Sequence, residues 1–137
     1  MSLLHARLCL RRLFCYWLPL ILWMALIFAL SAQPTLPELD EPWLDVLLKK
    51  TAHFLEYAIL AFLWWRALSG GNQSTVRPLI IAGLVSVLYA ASDEYHQTFV
   101  TGRHGWPGDV GIDSAGVLVM LGFIRWQVEP RNVKRET

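Results

Sequence analysis

Four apolar stretches, Leu13–Ala32, Lys50–Leu68, Pro78–Gln97 and Asp109–Val128, take up most of the chain. Each is close to the roughly 20 residues that a helix needs to cross a bilayer. That repetition constrains the fold more than any other feature, and it predicts an all-α protein, a four-helix transmembrane bundle. The charges fall on opposite ends of these segments. Arg7, Arg11, Arg12, Arg66, Arg77, Arg125, Arg131, Lys134 and Arg135, nine of the 12 Lys+Arg, flank one set of ends. By the positive-inside rule these ends are cytoplasmic, and with them both termini. Glu38, Asp40, Glu41, Asp45, Glu56, Asp93, Glu94, Asp109 and Asp113, nine of the 11 acids, gather at the other ends. The polar chemistry is expected to face outward.

Composition agrees with a membrane setting. The chain of 137 residues is one domain's worth, 55% hydrophobic and only 17% charged, where soluble domains carry about 25% charge. A formal net charge of +1 gives no basic footprint for nucleic acid, so none is expected as a partner. The chain divides into a basic cytoplasmic N-terminus (1–12), a membrane domain (13–128) and a basic cytoplasmic tail (129–137). The first apolar run exceeds the roughly 7–15 residues of a signal-peptide core, and is expected to be retained as a span. Cys9 and Cys15 have no metal-ligand spacing and read as buried thiols.

Pro34 and Pro37 end the first segment. An acidic outer loop follows, with a short interfacial helix expected around Trp43–Leu48. Pro78 opens the third span. That span carries Ala82, Ser86 and Ala90 at four-residue spacing, and the fourth carries Gly111 and Ala115. Stripes of small residues let helices approach closely in lipid, where no hydrophobic drive acts between them.

Alternating helix directions bring residues far apart in sequence to one depth. Lys49, His53, Glu56 and Tyr57 share a face of the second helix, and Asp93 reaches His96 and Gln97 on the third. Asp109 and Asp113 are four apart on the fourth. Glu94 and Arg103 lie at the same outer level. The candidate pocket therefore comprises His53, Glu56, Asp93, Glu94, His96, Gln97, Arg103, Asp109 and Asp113, with Lys49, Lys50 and Arg103 as anion contacts. Ionisable groups at this depth need mutual pairing, water or a ligand. His53 with Glu56 or Asp93 would form an acid–base pair. His53, Glu56, Asp93 and His96 are the candidate metal ligands, although no His-Glu-x-x-His run occurs and no cofactor is expected. Ser92 is the available nucleophile, without a Gly-x-Ser-x-Gly elbow. Catalysis, ligand binding, a structural polar network and proton-coupled transport all stay open at this level, as does self-association.

The run Lys50-Thr51-Ala52-His53-Phe54-Leu55-Glu56-Tyr57, then Ser92-Asp93-Glu94-Tyr95-His96-Gln97-Thr98-Phe99-Val100 and Gly102-Arg103, resembles the VanZ-like family. Asp109, Asp113 and Gly116 continue the pattern, so the resemblance covers about Lys49 to Gly122. Thr101 stands where proline is common, and Asp113 where asparagine is frequent. The resemblance implies a small multi-pass protein of the bacterial cytoplasmic membrane, in a family named for a member linked to teicoplanin resistance. It supplies no reaction. The expected role is binding or acting on a cell-envelope component (a lipid headgroup, a lipid-linked precursor or a glycopeptide). The alternative is a non-catalytic structural or partner-modulating protein, and membrane lipids are partners either way.

Overall fold

The computed structural model describes residues 10–34, 40–70, 76–103 and 105–136, with side chains as far as Val128. Four helices account for nearly all of it: α1 (Leu10–Ser31), α2 (Pro42–Ser69), α3 (Arg77–Gln97) and α4 (Pro107–Glu136). No strand occurs among the described residues. Two helices are long and apolar enough to cross a membrane, Leu10–Ser31 and Pro107–Val128. Cys9, Pro37, Glu38 and His104 lie outside the described residues, as do the side chains of Arg131, Lys134 and Arg135.

Side-chain contacts establish the threading. Arg66, near the end of α2, reaches Cys15 near the start of α1, whereas Lys50, about two turns into α2, reaches Asp109 at the start of α4. Arg103, just after α3, reaches the last turn of α1. The end of α1, the start of α2, the end of α3 and the start of α4 therefore share one level, here termed the acidic end.

The packing is inverted relative to a soluble domain. Ala82, Ser86 and Ala90 of α3 are fully buried, and Ala58, Ala61 and Ala67 of α2 are nearly so. Leu22, Leu84, Leu88, Leu118 and Val119 point away from the bundle, each at least 60% exposed. Small residues inside and large apolar ones outside is the arrangement of helices packed in lipid. Tyr57, Leu60 and Val117 fill what the small residues leave between α2 and α4. Gly116 sets the closest approach of that pair, because an added Cβ would overlap the Phe54 carbonyl oxygen. The Gly111–Ala115 stripe expected from sequence is not an interface. Both residues are exposed, and the packed glycine is Gly116, which lies on a different face of α4.

Hydrogen bonds between helices add to this packing. Trp23 Nε1 donates to the Glu56 carbonyl at 3.0 Å, and the Tyr89 hydroxyl donates to the Met24 carbonyl at 2.8 Å. Such bonds contribute about 0.6 kcal/mol each on average within membranes.

A widened turn interrupts α1 at Leu13–Trp17, where the Leu18 N–H bonds the Leu13 carbonyl five residues back. Pro19 is the cause: it has no N–H for the carbonyl one turn earlier, Cys15, and its ring crowds that oxygen. Arg66 supplies the missing donor, with Nη2 2.6 Å from the Cys15 carbonyl and its guanidinium 5.3 Å from the Tyr16 ring. Replacing Arg66 by leucine leaves that carbonyl without a donor, and should cost about 1 kcal/mol. Thermal unfolding of the purified variant in detergent would measure it, and an unchanged midpoint would refute the capping role.

Two further expectations are corrected here. Cys15 is exposed on the outer surface of α1 rather than buried, because Leu20 and Ile27 define that helix's packed face. There is no separate interfacial helix at Trp43–Leu48. Pro42 starts α2, and since no breaker stands between Leu48 and Lys50, the helix runs unbroken for 28 residues.

Candidate functional site

The acidic end encloses a cavity of about 380 Å³ between α1, α2, α3, the loop after α3 and the start of α4. That volume lies within the roughly 300–1,000 Å³ of small-molecule sites. Ile27, Leu30, Val46 and Ala52 form an apolar wall. His53, Glu56, Asp93, Gln97, Arg103 and Asp109 provide the polar side, with Lys49 and Lys50 alongside. A second cavity, of about 600 Å³, opens at the Arg66 end; its lining is mostly apolar and holds no carboxylate.

Local structure positions each polar group. Arg103 donates through Nη2 to the Leu30 carbonyl at 3.0 Å and through Nε to the Gln33 carbonyl at 3.2 Å. These carbonyls lie at the C-terminal end of α1, where a cation is favoured. Gly102 makes this approach feasible: its φ is +82°, and a Cβ there would stand 2.8 Å from the Pro34 carbonyl oxygen. Glu94 serves the opposite kind of helix end. Its Oε2 accepts the Trp106 N–H at 3.0 Å, just before Pro107 opens α4, so the carboxylate lies at a positive helix terminus. Within α3, Gln97 Nε2 donates to Asp93 Oδ2 at 3.2 Å, the i,i+4 pairing expected from spacing.

The lysines are engaged inside the molecule. Lys49 lies 2.6 Å from Asp45, and Lys50 lies 3.1 Å from Asp109 and 4.9 Å from the centre of the Trp106 ring. Glu56 differs. It is half-buried in the cavity wall and makes no ion pair among the described residues.

The histidines separate. His53 Nδ1 approaches Asp113 Oδ1 at 3.3 Å, an ion-pair distance without hydrogen-bond alignment, rather than pairing with Glu56 or Asp93. His96 stacks on Phe28 of α1 with ring centres 4.7 Å apart, and is not among the residues lining the cavity. His96 and Gln97 are successive residues about 100° apart around α3, so Gln97 shares the cavity with Asp93 while His96 turns toward α1. Ser92, the one candidate nucleophile, is exposed and donates its hydroxyl to the Tyr89 carbonyl at 2.7 Å, outside the cavity.

The four-residue metal set expected from sequence is therefore not assembled. The groups that come within 4.8 Å of one another among the described residues are His53, Glu94 and Asp113. Glu94 was a pocket candidate but not a ligand candidate, and nothing in its spacing pointed to α4. Its partner lies 12 residues away, across a loop that contains Gly102 and Gly105.

The family model described as VanZ/LLP1 matches residues 16–128. No curated protein and no solved structure matches the chain. The matched span takes in α2, α3 and most of α1 and α4, with the cavity wall and the His53–Glu94–Asp113 group, and on it the chain belongs to the VanZ/LLP1 family.

Proposed function

We propose that this is a four-span protein of the bacterial cytoplasmic membrane, with both termini inside, whose cavity opens outward and binds a cell-envelope component. The ligand class is an amphiphile with a polar head, either a lipid headgroup or a lipid-linked precursor, or a glycopeptide that mimics one. Tolerance of envelope antibiotics such as teicoplanin is the cellular consequence. One observation carries the reading: a cavity with an apolar wall on one side and titratable groups on the other, including an acid, Glu56, without an ionic partner among the described residues. Amphiphilic pockets with a few convergent polar groups are the usual form of a ligand site. Arg11, Arg12, Arg66, Arg77 and Arg125 at the opposite end support the orientation.

Occluding the cavity tests this directly. Ala52 lines it and is exposed, so Ala52→Trp adds bulk there without entering the helix core. Native mass spectrometry of the detergent-purified protein should show a retained envelope lipid in wild type and its loss in Ala52→Trp. Equal retention in both would refute the pocket reading. Orientation has its own check, since Thr101→Cys should react with an impermeant thiol reagent from outside and Ser69→Cys should not.

A second reading has support of its own. Lys49, Lys50 and Arg103 all bind partners within the chain, as they would in a purely structural network. In that case Ala52→Trp leaves function intact, while breaking the Lys50–Asp109 pair lowers the amount of folded protein.

A further inference from the structure

In the cavity wall and just behind it lie three side chains, each with a buried polar atom that has no hydrogen-bond partner among the described residues. Asp113 is 1% exposed, and neither of its carboxylate oxygens has a hydrogen-bond partner among the described residues. Glu94 is 5% exposed; Oε2 takes the Trp106 N–H, and Oε1 has none. His53 Nδ1 is likewise buried without a hydrogen-bond partner among the described residues. One atom from each residue falls within 4.8 Å of the other two. Asp113 has only the His53 imidazole at ion-pair distance and Glu94 only the Trp106 N–H, and two buried carboxylates converging on one imidazole are disfavoured without a further cation. The cations at this level bind elsewhere: Lys49 to Asp45, Lys50 to Asp109, and Arg103 to the end of α1.

We propose that His53, Glu94 and Asp113 form a binding site for one divalent transition-metal ion of the Zn²⁺ class. This stands independently of what the neighbouring cavity binds. Charge favours it, because two carboxylates and a neutral imidazole balance a 2+ ion. Donor type favours it too, since an imidazole nitrogen beside carboxylate oxygens suits zinc better than magnesium or calcium, which take oxygen ligands. Spacing agrees: ligands about 2.0–2.1 Å from a tetrahedral zinc stand about 3.4 Å from each other, and His53 Nδ1 and Asp113 Oδ1 are 3.3 Å apart without the alignment of a mutual hydrogen bond. The Trp106 N–H on the other oxygen of Glu94 is the kind of outer contact that orients a ligating carboxylate. Three protein ligands leave the fourth tetrahedral position open. Because His53 also lines the cavity, the ion would adjoin whatever occupies it.

The full chain, purified in detergent and stripped with a chelator, is titrated with Zn²⁺ by calorimetry and with Co²⁺ by absorption. Wild type should bind one equivalent of Zn²⁺ and unfold at a higher temperature when loaded. Glu94→Gln and Asp113→Asn should each weaken binding at least roughly 100-fold, since even outer partners of metal ligands are worth about 10–100-fold. Glu41→Gln, outside the site, should bind as wild type does. His53→Cys should give a thiolate-to-cobalt charge-transfer band, which a structural histidine replaced by cysteine would not produce. If Asp113→Asn does not fold, Glu94→Gln and His53→Cys decide. The proposal is overturned if wild type binds no stoichiometric Zn²⁺, if the Glu94 variant binds like wild type, or if the cysteine variant shows no such band.

Discussion

Gly116→Leu should abolish recovery of folded protein, and Gly116→Ala alone should destabilise the bundle by about 3 kcal/mol, at the upper end of the usual range for overpacking. The α2–α4 pair is the most extensive helix contact, and Gly116 is where α4 meets the backbone of α2 at Phe54. An obstructing side chain can rotate away, but a helix carbonyl cannot, so a methyl at this position must push the two helices apart. Separation would loosen the seam holding Tyr57, Leu60 and Val117, and in lipid no hydrophobic force drives the helices together again. Gly122 provides the control on the same helix. Nothing lies within 4 Å of a Cβ added there, so Gly122→Ala should leave stability unchanged or raise it by up to about 1 kcal/mol. Thermal unfolding in detergent, followed by circular dichroism, compares the pair. Equal midpoints for Gly116→Ala and wild type would mean the close crossing does not exist in solution.

That contrast also shows what a sequence reader can find. The Ala82–Ser86–Ala90 stripe was legible because three small residues on one face let a neighbouring helix approach closely, and all three prove fully buried. Gly111 and Ala115 follow the same spacing rule, yet they sit on the exposed side of α4. Small side chains allow close packing without requiring it. Which stripe is used depends on helix rotation, and the buried face of α4 mixes the aliphatic Val117 and Ile124 with the acidic Asp113. The widened turn in α1 belongs with these misses. Pro19 was visible, but its relief by Arg66, 47 residues later, depends on tertiary placement.

Within the site, legibility followed distance along the chain. The Asp93–Gln97 bond is a one-turn relation and was readable from spacing. The gathering of candidate residues at one level followed from alternating helix directions, and cavity lining that includes His53, Glu56, Asp93 and Gln97 agrees with that level. Partner choice within it was not readable. His53 could pair with several acids at similar depth, and only the rotation of α4 selects Asp113 over Glu56 or Asp93. Rotation of α3 likewise turns His96 onto Phe28 while Asp93 and Gln97 keep the cavity. Arg103 and the lysines were expected as anion contacts, and the structure shows what else they do: Arg103 ties its loop to the end of α1, Lys50 joins α2 to α4, and Lys49 pairs within α2.

Glu56→Gln should separate function from stability in opposite directions. A carboxylate at this depth is disfavoured by up to about 2.5–3.5 kcal/mol, less toward a helix end, and Glu56 has no ion-pair partner among the described residues to offset it. Glutamine keeps the shape and hydrogen-bonding capacity while removing the charge. The variant should therefore accumulate in the membrane at normal levels and unfold at the same or a higher temperature. If the headgroup is held through this acid, the lost charge-assisted hydrogen bond is worth about 1.5–3 kcal/mol, or roughly a 10- to 150-fold loss of affinity. Antibiotic tolerance should fall accordingly in cells whose membranes contain as much variant as wild-type protein. A structural role predicts the reverse pairing, with reduced folded protein and unchanged activity per molecule. A costly, unpaired acid in a cavity wall is retained for what it contacts, so full tolerance alongside raised stability in Glu56→Gln would leave Glu56 without a function in this fold.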